Sequence, residues 1–247
     1  MAHKNSPSGW DNVASWYDGW VGKNGSDHHQ KLAIPALLDC LDLNQTTNLL
    51  DIGCGTGVLA PYIAETGASY TGIDISSKLI ATAKRYHSQH ATFKVGDARK
   101  LTQHFAPETF DACTFLLSIQ DINPLLTTIK AACNILLHGG TLAIVMVHPC
   151  FRIPRQSGWG YEKTRKLQYR RIDHYLTPLK IPMKQHKKGV TISFHRPLSV
   201  YINTLAQCGF VIDKLDEITT YQEGNNKAER RANDEIPLFM AIRARKI

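Results

Sequence analysis

From residue 48 onward, short runs of consecutive apolar residues alternate with stretches in which apolar positions recur every three or four residues. Runs of the first kind suit strands buried on both faces, and the second kind suits helices laid across them; together they describe a parallel sheet covered by helices. The pattern predicts strands over residues 48–52, 69–74, 91–95, 110–116 and 141–147, with helices near 57–66, 77–90 and 124–137. Asn123-Pro124 reads as an N-cap followed by proline at the first helical position, and His138-Gly139-Gly140 as a helix stop. Two helical pieces, 11–20 and 27–41, precede the first strand.

After Val147 the alternation lapses for about fifty residues, which hold Pro149, Pro154, Pro178, Pro182 and Pro197. It resumes with a helix over 198–208 and strands over 210–218 and 238–245, while the polar run 221–235 predicts an exposed hairpin loop. The expected architecture is α/β: a mostly parallel seven-stranded sheet with helices on both faces and a cap inserted after the fifth strand. At 247 residues the chain is the size of one large domain, divided into a helical lid (1–44), a core (45–147), a cap (148–197) and a closing helix and strand pair (198–247). In such sheets ligands bind at the carboxyl ends of the strands where strand order reverses, so the chemistry is expected just after strands.

Charge changes the picture in one place. The net formal charge is +8, but residues 152–196 hold twelve Lys and Arg, Lys187 and Lys188 among them, against only Glu162 and Asp173. The basicity therefore belongs to the cap and implies an anionic partner for it. The longest apolar strand-like run, 142–147, is too short to span a bilayer, and Met1 to Gly9 lack the apolar core of a signal peptide, so a cytoplasmic protein with no membrane partner is expected. Six scattered cysteines without a C-x-x-C pair read as reduced thiols. His28-His29 has no third ligand at metal-site spacing, so no metal is expected.

The most specific motif is Leu49-Leu50-Asp51-Ile52-Gly53-Cys54-Gly55-Thr56-Gly57, an apolar strand entering three alternate glycines and then a helix. Asp74 closes the next strand and Asp97 the third. Val58 stands where the dinucleotide fingerprint requires its last glycine, which counts against NAD. In order and spacing these residues resemble the signature of class I S-adenosylmethionine-dependent methyltransferases of the small-molecule type, over 49–147 and again over 198–245. The resemblance implies a Rossmann-like fold, S-adenosylmethionine as cofactor and S-adenosylhomocysteine as product. It places Gly53, Cys54, Gly55 and Gly57 along the methionine part of the cofactor, with Asp51 ordering the loop and the amino group. It puts Asp74 on the ribose, Ile75 against adenine, Asp97 and Ala98 at the adenine amino edge, and Leu116, Leu117 and Gln120 around the methionine and the transferable methyl. Trp16-Tyr17-Asp18 resembles the tyrosine-bearing helix that closes over the cofactor. Plainer roles stay open: Asp51 as a cap, Asp97 as a turn residue, Tyr17 as packing.

His148-Pro149-Cys150-Phe151-Arg152-Ile153-Pro154-Arg155, with Phe194-His195-Arg196-Pro197 and Ile236-Pro237-Leu238-Phe239, resembles a subgroup of these enzymes without naming an acceptor. His148 and His195 are candidate proton acceptors, since imidazole titrates near neutrality, or else they pack the cap. Arg152, Arg155 and Arg196 are candidates for a substrate carboxylate or phosphate, or else form a solvated basic loop. Trp159 and Tyr175, with Tyr161 and Tyr169, either wall a pocket or pack the cap. The expected activity is methyl transfer to a small anionic acceptor by in-line displacement, in a monomer or homodimer. Two alternatives remain: an RNA methyltransferase whose cap follows phosphates, and a cofactor-binding regulatory protein without turnover.

Overall fold

The computed structural model describes residues 9–185 and 189–247. Part of the expected lid, residues 1–8, and the cap residues Lys187 and Lys188 lie outside the described residues.

Helix α1 (Gly9–Val21) is followed by a π-type turn, His29–Ala33, that runs into α2 (Ile34–Asp39). The alternating core comprises β1 (Asn48–Ile52), α3 (Ala60–Glu65), β2 (Ser69–Asp74), α4 (Ser77–His87), β3 (Thr92–Val95), β4 (Phe110–Leu116), α5 (Leu125–Ile135) and β5 (Leu136–Val147). Short 3-10 turns, Ala98–Gln103 and Ile119–Asp121, follow β3 and β4. Two hairpins come next, β6 (Ser157–Glu162) with β7 (Leu167–Ile172) and β8 (Leu179–Gln185) with β9 (Gly189–His195). Then α6 (Leu198–Gln207), β10 (Phe210–Ile218), α7 (Lys227–Glu235) and β11 (Phe239–Lys246) close the chain.

The main sheet has the order β3-β2-β1-β4-β5-β11-β10, with the first five strands parallel and β11 antiparallel to both its neighbours. This is a Rossmann-like α/β fold, and its strand order reverses between β1 and β4. The apolar runs arise because both faces of the sheet are covered, so successive residues enter different cores. Leu50, Ile144 and Met240 pack with α5 and α6, whereas their neighbours Leu49, Val145 and Ala241 pack with α2, α3 and α4.

Four local expectations are corrected. Asn123 does not cap α5; Pro124 holds the cap position in extended conformation, and the Asn123 carboxamide turns away to accept from Arg196 at 3.0 Å. The helix stop is Leu136 rather than His138-Gly139-Gly140, which lies inside β5. There Phe110 pairs with Leu136 and Ala112 with Thr141, so surplus residues on β5 loop out. The run 221–235 is not a bare loop, because α7 forms within it, capped by Asn226 accepting from the backbone N–H groups of Ala228 and Glu229. Finally, the cap is built as two hairpins, although its strands do not join the main sheet.

The second hairpin folds back over the N-terminal helix. A Cβ at Gly9 would lie 2.9 Å from the Val190 carbonyl oxygen, and one at Gly189 would lie 2.8 Å from the Val13 side chain. Helix α1 is fixed from its other side by Asp18, which accepts from Tyr86 at 2.9 Å and pairs with Arg85 at 3.2 Å. No helix of the described residues is long and apolar enough to cross a membrane.

Candidate active site

A cleft of about 370 Å³ opens over the carboxyl ends of β1, β2 and β4, where the strand order reverses. Its floor is the glycine turn after β1, its far wall is β9 from the cap, and α1 contributes Trp10 and Tyr17 at the rim. Of the residues expected at a cofactor, Tyr17, Gly53, Gly55, Asp74, Ile75, Asp97, Ala98, Leu116 and Leu117 line this space. Asp51, Cys54, Gly57 and Gln120 do not.

The glycine turn is held by its neighbours. Gly53 has φ +74°, and a Cβ there would sit 2.6 Å from the Ser118 Cβ, so only glycine lets β1 turn this close to the chain after β4. Gly57, at φ +76°, serves packing instead: a Cβ there would meet the Phe93 ring at 2.8 Å. Asp74 orders the turn, its carboxylate accepting from the Gly55 N–H at 3.0 Å through one oxygen and from the Ser76 N–H at 2.8 Å through the other. Burial pushes its pKa up to about 6 despite those two hydrogen bonds. Asp51, by contrast, is spent below the turn, accepting from Tyr70 at 2.7 Å and Thr114 at 2.9 Å, and burial raises it to about 6 as well. It makes no bond to the loop that it was expected to order. Cys54 is buried against Gly72.

Ile75 is 46% exposed in the cleft, an uncovered apolar surface beside Asp74. Asp97 accepts from the Arg99 backbone at 2.9 Å and from its guanidinium at 2.6 to 3.0 Å. Burial opposes its ionisation, but the Arg99 bonds outweigh it and hold the carboxyl below its ordinary range. The Tyr17 ring lies over Gly55, and burial, followed by the charge of Asp74 and Asp121, drives its pKa well up.

Past β4 the chain is strained where it meets the cleft: Leu117 lines it with φ +53°, a left-handed conformation that costs a branched side chain free energy. The 3-10 turn that follows delivers Asp121, which also lines the cleft. Burial raises this carboxyl to about 7 in spite of a hydrogen bond with Ser193 and the charge of Arg196. The sequence expectation ended one residue short of it, at Gln120, which turns instead toward a smaller cavity. Other cleft residues not anticipated include Trp10, Arg99, Asn123 and the β9 wall. Their contribution comes from chain segments far from the glycine motif, which carries no signal of them.

Neither candidate histidine lines the cleft. His148 is 1% exposed, and its Nδ1 accepts from the Cys150 N–H at 3.2 Å. The ring proton therefore sits on Nε2, 2.7 Å from the Glu217 carboxylate, which accepts it. Burial lowers the pKa of this ring. His195 Nε2 donates to the Tyr175 carbonyl at 2.7 Å, and its ring borders the smaller cavity. The arginines separate too. Arg196 is buried and donates to Ile122, Asn123 and Tyr201; Arg152 borders the smaller cavity; Arg155 is exposed. Trp159 lies against Arg152 and Arg170, each 5.2 Å from its ring centroid. The Tyr175 hydroxyl accepts from Leu198 N–H at 3.0 Å and packs the cap. Among the described residues no group of three or more His, Cys, Asp or Glu could hold a metal ion.

A doubly wound sheet whose first strand ends in a glycine turn, with a carboxylate at the end of the second, defines a protein that binds a nucleoside-type cofactor. Residues 50–144 match the family described as the methyltransferase domain. An S-adenosylmethionine-dependent methyltransferase of Mesorhizobium loti, known from its crystal structure, is 26% identical, with a TM-score of 0.70 over 86% of this chain and 96% of that one. A ubiquinone biosynthesis O-methyltransferase of Xanthomonas campestris is 29% identical over 138 residues, 53% of this chain, and the chain spans 57% of that relative's length. A protein of Haemophilus influenzae is 26% identical over 224 residues, 86% of each chain. Over residues 50–144 the chain thus matches the methyltransferase domain, and in sequence and fold it is similar to S-adenosylmethionine-dependent methyltransferases.

Proposed function

We propose that the protein transfers a methyl group from S-adenosylmethionine to a hydroxyl of a small anionic acceptor held between the glycine turn and β9. The residues fit the cofactor. Asp74 keeps lone pairs beyond its two backbone bonds for ribose hydroxyls, and exposed Ile75 offers a flat apolar rest for a base. The turn at Gly53 admits close backbone approach. Asp97 and Ala98 stand where the adenine edge would be read, and Tyr17, Leu116 and Leu117 close the methionine end.

When bound, the cofactor supplies a methyl on a positively charged sulfur that departs as a neutral thioether. What the protein adds is position, dryness and a proton acceptor. The single observation that carries the hydroxyl acceptor is Asp121, a cleft carboxyl held near pH 7, where a general base works best. It takes the hydroxyl proton as the new oxygen–carbon bond forms. His148 and His195 then act as structural residues of the cap, each bonded to cap or sheet partners. The Xanthomonas relative is an O-methyltransferase, which agrees in bond type. On this reading the described chain works as one methyltransferase unit, with cofactor held by 48–123 and acceptor walled by 189–196.

One observation favours an RNA acceptor: Trp159, Tyr161 and Tyr169 are exposed on the first hairpin beside Arg170 and Arg171, a stacking and phosphate-binding combination. Incubating the protein and radiolabelled S-adenosylmethionine with a cell extract separated into small-molecule, RNA and protein fractions decides between them. Label in the small-molecule fraction is expected. Label confined to RNA and released by ribonuclease refutes the small acceptor.

A further inference from the structure

The three candidate arginines of the cap, Arg152, Arg155 and Arg196, are not equivalent. Arg196 is 6% exposed and engaged by Ile122, Asn123 and Tyr201, with Asp121 as its nearby opposite charge. Arg155 is exposed and borders neither cavity. Of these three, Arg152 joins partial burial to unused donors. Its Nε donates to the Pro237 carbonyl at 3.2 Å, its plane faces Trp159, and among the described residues no carboxylate pairs with it. Arg170, against the same indole, is bonded to the Phe151 carbonyl and the Ser157 hydroxyl and likewise has no carboxylate partner among them. Burial and the charge of Arg170 lower Arg152 to about 10, the mark of a cation short of negative charge.

Arg152 borders the smaller cavity, about 50 Å³, which is several times the room one water needs. Gln120, Ser193, His195 and Arg196 line it, and Phe194 borders both this cavity and the cleft. Gln120 is the second sign of a missing ligand. Its Nε2 is committed to the Leu117 carbonyl at 2.5 Å, which leaves Oε1 buried without a hydrogen-bond partner. A carboxamide oxygen in that state calls for a donor.

We infer that the smaller cavity is an acceptor subsite for a carboxylate bearing a hydroxyl or amino group on the adjoining carbon: the anion meets the Arg152 terminal nitrogens, and the O–H or N–H donates to Gln120 Oε1. The inference rests on the proposed function only in calling this ligand part of the methyl acceptor. The geometry asks for two complementary features within one small group. A bare carboxylate satisfies Arg152 and leaves Gln120 unserved, and a neutral hydroxyamide satisfies Gln120 and leaves the cation uncompensated.

Titration calorimetry on the full chain tests this with glycolate, acetate, glycolamide and, separately, S-adenosylhomocysteine. Glycolate is expected to bind in the millimolar range, acetate several-fold more weakly, and glycolamide not measurably. Arg152→Met weakens glycolate about tenfold or more. Gln120→Leu removes the preference of glycolate over acetate while keeping S-adenosylhomocysteine affinity, which also shows that the variant is folded. Equal glycolate affinity in the wild type and Arg152→Met, or no glycolate binding at tens of millimolar, overturns the subsite. A wild-type protein that binds glycolate in an Arg152-dependent way but does not bind S-adenosylhomocysteine upholds the subsite and refutes the methyltransferase reading instead.

Discussion

At the scale of single residues, burial raises two carboxyl groups of the cleft, Asp74 and Asp121, while the bonds from Arg99 lower a third, Asp97. Asp74 is tied to the glycine turn, whereas Asp121 stands beside the β9 wall. As a base it must be ionised, so kcat/KM is expected to climb about tenfold per pH unit below 7 and level off above. Asp121→Asn is expected to lower kcat by about 10²–10⁴ and abolish that limb, with S-adenosylhomocysteine affinity retained. The same shift acts on stability. A carboxyl raised in the folded state contributes fully below its unfolded pKa, near 3.8, and that contribution is lost as pH rises through 7. The melting temperature of the ligand-free protein measured from pH 4 to 7 should therefore fall less in Asp121→Asn than in wild type. This residue was not legible beforehand, because nothing in a bare Ile-Gln-Asp run says which of the three side chains the turn will aim into the cleft.

At the scale of elements, α1 is a wall of the site tied to α4 through the carboxylates of Asp11 and Asp18. Removing the Asp18 carboxylate frees Tyr86 and Arg85 of α4 from it, while leaving the glycine turn untouched. Asp18→Ala should weaken S-adenosylhomocysteine binding by about fivefold, the equivalent of one hydrogen bond, and speed proteolytic cleavage near the helix, with kcat at saturating cofactor little changed. The elements also show where sequence pattern carries information. Strands β1, β2, β4 and β10 were legible to the residue because covered strands must be apolar or alternate strictly. Helix α7 was not, since Ala232 is its one fully buried residue and Lys-Ala-Glu-Arg-Arg-Ala-Asn-Asp-Glu has no apolar stripe to betray it. The first cap hairpin was hidden for a related reason, since Trp159, Tyr161 and Tyr169 are exposed, and the second because the buried positions of β9 are the polar Thr191, Ser193 and His195. The cleft residues at the ends of the first three strands stand beside motifs that sequence displays, whereas those from β9, α1 and the turn after β4 are brought together only by the fold.

At the scale of the whole molecule, positive charge is gathered in the cap while the remainder is slightly acidic. Whether that charge follows a polyanion or serves a few local contacts appears in the salt response. For a small acceptor held by Arg152, kcat/KM should fall with a log–log slope of about one or less between low and physiological salt. A slope of several would mean that many phosphates are being neutralised, and would return the exposed aromatic hairpin to the active role. The arrangement has one further result, which follows from Phe194 bordering both cavities. On the proposed reading, an acceptor whose acidic head meets Arg152 and whose hydroxyl meets Asp121 has to reach past this one residue from the smaller cavity to the cleft. That reading makes the span of a ligand matter as well as its ends, so homologous acceptors lengthened or shortened by a carbon are expected to differ in kcat/KM.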